Sequence, residues 1–266
     1  MGYLAETDTI IEKRIESYLI NKNKLFISVE LNLSCNLRCP YCYQAGEHNG
    51  KRIDNYVIEK IVEYVKAVYE KDSFSDLFLK ILGGEPTLVW AKFEKIYNGL
   101  LLYCHEKGIR LHLLIDTNGT MINDLLTLKG YDSLLFTIPL TAKAHHDAAR
   151  KDTKGNGTYD LIIENINTIR HEKPEAKIVI RYNIDNENVK LFDDFLKDID
   201  RKLIFKPLIS VNYTAELNGK KGFKNKMTYR EFVKWCSSEA IDLLVKNKMP
   251  VTISPIVSIE ECQFRS

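Results

Sequence analysis

The chain has 266 residues, 45% of them hydrophobic, with 38 basic and 36 acidic side chains and a net charge of only +2. This is enough apolar material for one large core, and the charge balance excludes any global field that would steer the protein to nucleic acid or an anionic membrane. No apolar run approaches the roughly 20 residues needed to span a bilayer, and the acidic N-terminus (Glu6, Asp8, Glu12) lacks a basic-then-apolar signal, so no membrane partner and a cytoplasmic location are expected.

From residue 25 onward, apolar β-like runs alternate with amphipathic helical ones, the pattern of repeated βα units around a parallel sheet. A helix is expected over 7–22, with Ile10, Ile11, Ile15 and Leu19 on one side, closing the barrel bottom or packing beside it. Strands are expected near 26–33, 76–82, 110–115, 133–140, 176–184 and 203–211. Helices are expected near 55–71, 88–107, 121–129, 158–171, 188–200 and 228–247. Asp54 should cap the helix over 55–71, with Ile53 and Ile58 as its hydrophobic staple. Segments 141–157 and 212–227 are polar and aperiodic and read as loops. The expected organisation is an N-terminal helical extension (1–24), a core (25–215) and a C-terminal helix with its extension (216–266).

Six cysteines are too few for a disulfide scaffold at this size, and three of them cluster. Cys35, Cys39 and Cys42 lie in Ser34-Cys35-Asn36-Leu37-Arg38-Cys39-Pro40-Tyr41-Cys42-Tyr43. Three thiolates on one loop can hold three irons of a 4Fe-4S cube and leave the fourth open, whereas a closed electron-transfer cluster or a structural zinc normally takes four ligands. A zinc knuckle completed by a distant Cys or His is the alternative. Cys104 and Cys236 sit on helical patterns and read as buried small hydrophobes.

The cysteine triad, with Tyr41 just before its last member, resembles the signature of the radical S-adenosylmethionine (radical SAM) enzymes. Three further stretches extend the resemblance: Gly83-Gly84-Glu85-Pro86-Thr87 after the second strand, Thr117-Asn118-Gly119-Thr120 after the third, and His146-Asp147-Ala148-Ala149-Arg150 with Gly155, Gly157, Thr158, Tyr159 and Asp160 after the fourth. They are similar to the GGEP, TNGT and HDxxR…GxGxFD motifs of the branch that modifies peptides and proteins, the SPASM-type, sulfatase-maturase-like enzymes.

The resemblance implies an α/β fold, a partial (β/α)6 TIM-type barrel, and two cofactors, a 4Fe-4S cluster and SAM. The open iron would be chelated by the methionine end of SAM, and one electron would cleave the sulfonium to a 5′-deoxyadenosyl radical that abstracts a substrate hydrogen. Cys35, Cys39 and Cys42 would hold the cluster, Tyr41 would flank the adenine, and Gly83, Gly84 and Glu85 would hold the SAM amino group. Thr117 and Asn118 are expected on the rim of the SAM pocket. Arg150 would reach a carboxylate of SAM or substrate, or else pair with Asp147, and the His145-His146 pair reads as exposed surface. Strand alternation puts Arg181 and Asn183 on one face, expected to line the ribose or substrate pocket or else to be an outward polar face. The implied partners are a peptide or protein substrate, with a small molecule as the alternative, and a reducing electron donor such as flavodoxin or ferredoxin.

Two departures from the family pattern stand out. Pro139-Leu140-Thr141-Ala142 occupies the place where relatives read Ser-x-Asp-Gly, so a SAM-binding hydroxyl and an acidic group are missing. Cys262 falls where a further cysteine series for auxiliary clusters would begin, and one cysteine cannot hold a cluster alone. Both leave open a protein that keeps the barrel but works as a scaffold.

Overall fold

The computed structural model describes residues 23–42, 44, 50–214 and 226–250. The expected N-terminal helix over 7–22 and Cys262 lie outside these residues. Six parallel strands form one sheet in the order of the chain: β1 (Lys24–Glu30), β2 (Asp76–Leu82), β3 (Arg110–Asp116), β4 (Ser133–Pro139), β5 (Lys177–Ile184) and β6 (Leu208–Tyr213). Parallel neighbours joined by same-handed crossovers must place their helices on one side, so the sheet curls with the other side concave.

Side-chain alternation separates the two faces. Leu77, Leu79 and Ile81 of β2, Leu111, Leu113 and Ile115 of β3, Leu134, Phe136 and Ile138 of β4, and Ile178, Ile180 and Tyr182 of β5 are buried under the helices. The intervening positions, among them Lys80, Asp116, Arg181 and Asn183, are partly exposed on the concave face.

Helix α1 (Asn55–Lys71) starts where expected, with Asp54 accepting from the backbone N of Tyr56 at 2.7 Å. A 3-10 turn (Pro86–Val89) leads into α2 (Trp90–Lys107), which ends at Gly108 in the left-handed region (φ +67°). The helix expected over 121–129 is one turn, α3 (Asn123–Leu126). Beyond it the carbonyls of Leu128 and Lys129 accept from Lys173 Nζ and the Tyr97 hydroxyl.

The stretch 141–157, expected as a loop, contains α4 (Lys143–Ala149), whose alanines are strong helix formers over too short a span to show periodicity. Helix α5 (Tyr159–Glu172) follows. Helix α6 (Phe192–Lys202) is preceded by a 3-10 turn (Val189–Leu191). The sixth strand begins five residues later than expected. Leu203 still closes α6 through its N–H to Ile199, Ile204 is exposed, and Pro207 precedes the first paired residue. The last expected helix is split into α7 (Tyr229–Trp235), a π turn (Cys236–Ala240) and α8 (Ile241–Lys246). Both Ser237 and Ser238 donate their hydroxyls to the carbonyl of Lys234, which opens the regular ladder. Burial pushes the Cys104 and Cys236 thiols up to about 12 and about 11, as inert packed cysteines require.

The N-terminal ends of β2, β3 and β4 are tied by a buried carboxylate. Asp76 accepts from Arg110 Nη2 (2.8 Å) and Ser75 Oγ (2.6 Å) and pairs with His112 Nε2 (2.7 Å), whose Nδ1 meets Ser133 Oγ at 2.7 Å. These partners hold the Asp76 carboxyl far below the usual carboxylate range. Asp76→Asn is therefore expected to lose about 1–3 kcal/mol of stability at neutral pH. The depressed group contributes above its unfolded pKa of about 3.9, so the deficit should shrink as pH falls below about 4. Urea unfolding of both proteins at a series of pH values checks this.

Candidate radical SAM site at the carboxyl ends of the strands

The cysteine loop leaves β1 and is bound to other segments on both sides. Leu31 N–H donates to Leu82 O (2.9 Å), Gly84 N–H to Asn32 O (2.9 Å) and Glu85 N–H to Ser34 O (2.8 Å). On its far side Arg38 N–H donates to Lys151 O (3.1 Å), and Leu37, fully buried, bridges Asp152. The loop thus spans from the β2 turn to the α4–α5 connection.

Gly83 and Gly84 are required by this docking. A Cβ on Gly84 would overlap the carbonyl of Ser34, and one on Gly83 would lie 2.6 Å from Asn32 Oδ1. Neither has positive φ, so their need is close approach and not unusual backbone geometry.

Glu85 is placed differently from the expectation. It is wholly buried, and its carboxylate accepts from Thr87 N (3.2 Å), Thr87 Oγ1 (2.8 Å), Thr117 Oγ1 (2.8 Å) and Asn118 N (2.7 Å). Three of these donors converge on Oε1 and one on Oε2, so the carboxylate is committed mainly to the strand ends around it. Burial pushes its pKa upward against the pull of those donors. The Thr117 hydroxyl donates to Glu85, and the Asn118 amide accepts from Thr120 and donates to Asn36 and Cys35. Together the three staple the second and third strands beneath the cysteine loop.

The other expected site residues meet on the concave side. Arg150, 5% exposed, donates from Nη1 to the Tyr41 hydroxyl at 3.3 Å, and Asn183 hydrogen-bonds the same hydroxyl. Burial pushes the Tyr41 hydroxyl up. Arg181 pairs with Asp116 (3.2 Å), which also faces Lys80 (3.6 Å), so the polar face of β5 points inward, not outward. Lys80, Asp116, Asn32 and Asn36 were not singled out in the sequence; alternate-residue spacing along β2 and β3 is the signal that marks the first two.

Arg150 owes its position to its own motif. His146, which the sequence suggested as exposed, is wholly buried, and burial drives its pKa down to about 2, so it stays neutral. It meets Thr158 Oγ1 (3.1 Å), which donates to Arg150 O (2.9 Å). Asp147 does not pair with Arg150. It accepts from Tyr159 N (2.9 Å) and from Lys143, and a Cβ on Gly157 would overlap it. His145 is also largely buried, between Asp185 (2.9 Å) and Thr141 (3.2 Å). Thr141 is itself buried, with its hydroxyl against His145.

The donor set fits an iron–sulfur cluster. Cys35, Cys39 and Cys42 form no disulfide and are partly buried, and their charges couple: Cys39 raises Cys35 and Cys42 raises Cys39, on top of the larger effect of burial. Arg150 pulls Cys39 the other way. Its Nε is buried without a partner, and a buried guanidinium beside three thiols is costly unless those thiols, or what they hold, carry negative charge. Among the described residues no three His, Cys, Asp or Glu side chains converge on a point that would hold a single ion.

The model of the radical SAM superfamily matches residues 29–199. The chain belongs to the radical SAM superfamily. Within it, this radical SAM chain is 29% identical over 182 residues to the cysteine-type anaerobic sulfatase-maturating enzyme of Clostridium novyi, covering 66% of this chain and 49% of the relative. It is 24% identical over 184 residues to the serine-type enzyme of Klebsiella aerogenes, covering 66% and 45%. The chain therefore spans about half the length of these curated relatives. Its fold matches anSMEcpe with bound AdoMet and a peptide at a TM-score of 0.65 (21% identity, 85% of this chain, 61% of the other), which places the partial radical SAM barrel beyond doubt as the architecture.

Gly84→Ala is expected to undock the cysteine loop, with a loss of about 1–3 kcal/mol from the forced overlap and a fall in bound iron after anaerobic reconstitution. Thermal unfolding and iron content are the two readings.

Proposed function

We propose that this protein is a radical SAM enzyme acting on a peptide or protein substrate. The observation that carries the reading is the set of three thiols on one loop, in no disulfide, beside the buried Arg150, whose Nε has no partner. Cys35, Cys39 and Cys42 would hold a 4Fe-4S cluster with one iron open, and SAM would lie over it on the concave side. When bound, the cluster supplies the electron that cleaves SAM and starts hydrogen abstraction from the substrate. An external reductant such as flavodoxin or ferredoxin would provide that electron.

The chain's own residues have distinct tasks in this reading. Arg150 balances negative charge at the loop and fixes the Tyr41 hydroxyl, with Asn183 holding it from the other side. Gly83 and Gly84 bring backbone, not side chain, close to the cysteine loop, so the amino group of SAM would be met by backbone carbonyls of this turn. Arg181 and Lys80, shared by Asp116, offer cationic groups to a carboxylate on the concave face. The peptide class is supported by the named activity of the relatives, which mature sulfatases, and by the peptide bound in the similar structure. Among the described residues no helix is long and apolar enough to cross a membrane.

Anaerobic reconstitution with iron and sulfide should give roughly four irons per chain and, with SAM and dithionite, 5′-deoxyadenosine. Cys39→Ala should lose both. Zinc in place of iron, or an iron-replete and fully active Cys39→Ala protein, would overturn the reading.

A further inference from the structure

The Asn118 amide is held in one orientation by two side chains and one backbone N–H. Its Oδ1 accepts from Thr120 N (2.9 Å) and Thr120 Oγ1 (2.7 Å), and its Nδ2 donates to Asn36 Oδ1 (2.7 Å). Asn36 in turn donates to Thr120 Oγ1 at 2.8 Å, which closes a ring of hydrogen bonds. The backbone N–H of Thr120 can only donate, so Oδ1 must face it. The amide cannot flip without setting donor against donor, and its NH2 group is fixed toward Cys35.

That group stands 3.7 Å from Cys35 Sγ, within reach of an N–H···S hydrogen bond. The backbone N–H of Leu37 reaches the same sulfur at 3.4 Å. Cys35 Sγ therefore receives one donor from its own loop and one from the end of β3, 83 residues away.

We propose that Asn118 is a positioning residue whose N–H···S bond to Cys35 raises the reduction potential of the cluster. This rests on the reading that Cys35 is a cluster ligand. Hydrogen bonds to ligand sulfurs draw electron density from the cluster and stabilise its reduced, more negative form over its oxidised one. The step concerned is the uptake of one electron from the external reductant, with no bond made or broken. The ring of Asn36 and Thr120 supplies the orientation, and Asn118 supplies the donor.

The test is an EPR-monitored redox titration of the reconstituted protein without SAM. Asn118→Leu keeps the approximate shape and removes the donor; its reduced-to-oxidised ratio at a fixed potential should fall up to about tenfold, which is 59 mV for a one-electron couple. Asn165→Leu removes an amide that donates to the Gly119 carbonyl of the same turn without touching Cys35 or Glu85, and should leave the midpoint where it is. An unmoved midpoint in Asn118→Leu, or equal shifts in both variants, overturns the proposal. Should Asn118→Leu fail to load, pulsed EPR of the reduced wild type labelled with 15N-asparagine decides instead: coupling to an amide nitrogen supports the bond, and its absence removes it. A wild type that binds no iron–sulfur cluster fails at the underlying reading, whereas a loaded cluster indifferent to Asn118 fails only here.

Discussion

The site depends on one buried carboxylate. Glu85 lies at the end of β2 with no solvent to share its charge, and all its acceptors are directed at the strand ends around it: Thr87 on its own turn, Thr117 and Asn118 at the end of β3. Its backbone N–H meanwhile holds Ser34 of the cysteine loop. A buried acceptor that lost these donors would carry its full desolvation cost, so the three segments are committed to one arrangement. The thiols, the Asn118 amide and the glycine turn inherit their relative positions from that commitment.

Above the staple, a second network comes from the other half of the barrel. The α4–α5 connection is locked by buried His146, Thr158 and Asp147 and delivers Arg150 to Tyr41. The loop is thus gripped from below by a carboxylate and from the side by a guanidinium. Of the two, only the guanidinium keeps an unpartnered nitrogen, so only it is suited to meet an anionic group brought to the site.

The sheet and the cysteine triad were legible in the sequence because their signals are local. Alternating Leu and Ile in β2 through β5 mark strands buried on one side, and a three-cysteine loop needs no partner elsewhere to declare itself. The roles of Glu85, Thr117 and Asn118 were not legible, since motif resemblance identifies which residues occur together but not which way each points. His146 shows the same limit: a polar residue in a polar segment reads as surface, and only the packing of Tyr159 and Thr158 around it reveals burial. Alpha-helix α4 was missed because seven residues are two turns, too short for a period to appear, and β6 was misplaced because the apolar run Leu203-Ile204-Phe205 ends a helix instead of opening a strand.

The Arg150–Tyr41 hydrogen bond joins residues 109 apart in the chain, and the Asn118–Cys35 contact joins residues 83 apart. A zinc-finger peptide gathers its ligands within one short segment and folds around the metal. Here the three thiols are local, but the surroundings that make them a site arrive from β3 and from beyond β4. During synthesis the cysteine loop emerges long before its cradle exists, and contacts of such high sequence separation form late. Under the proposed reading a cluster would be loaded at the end of folding, when the barrel through α5 has been made, and until then the thiols are ordinary, oxidisable cysteines.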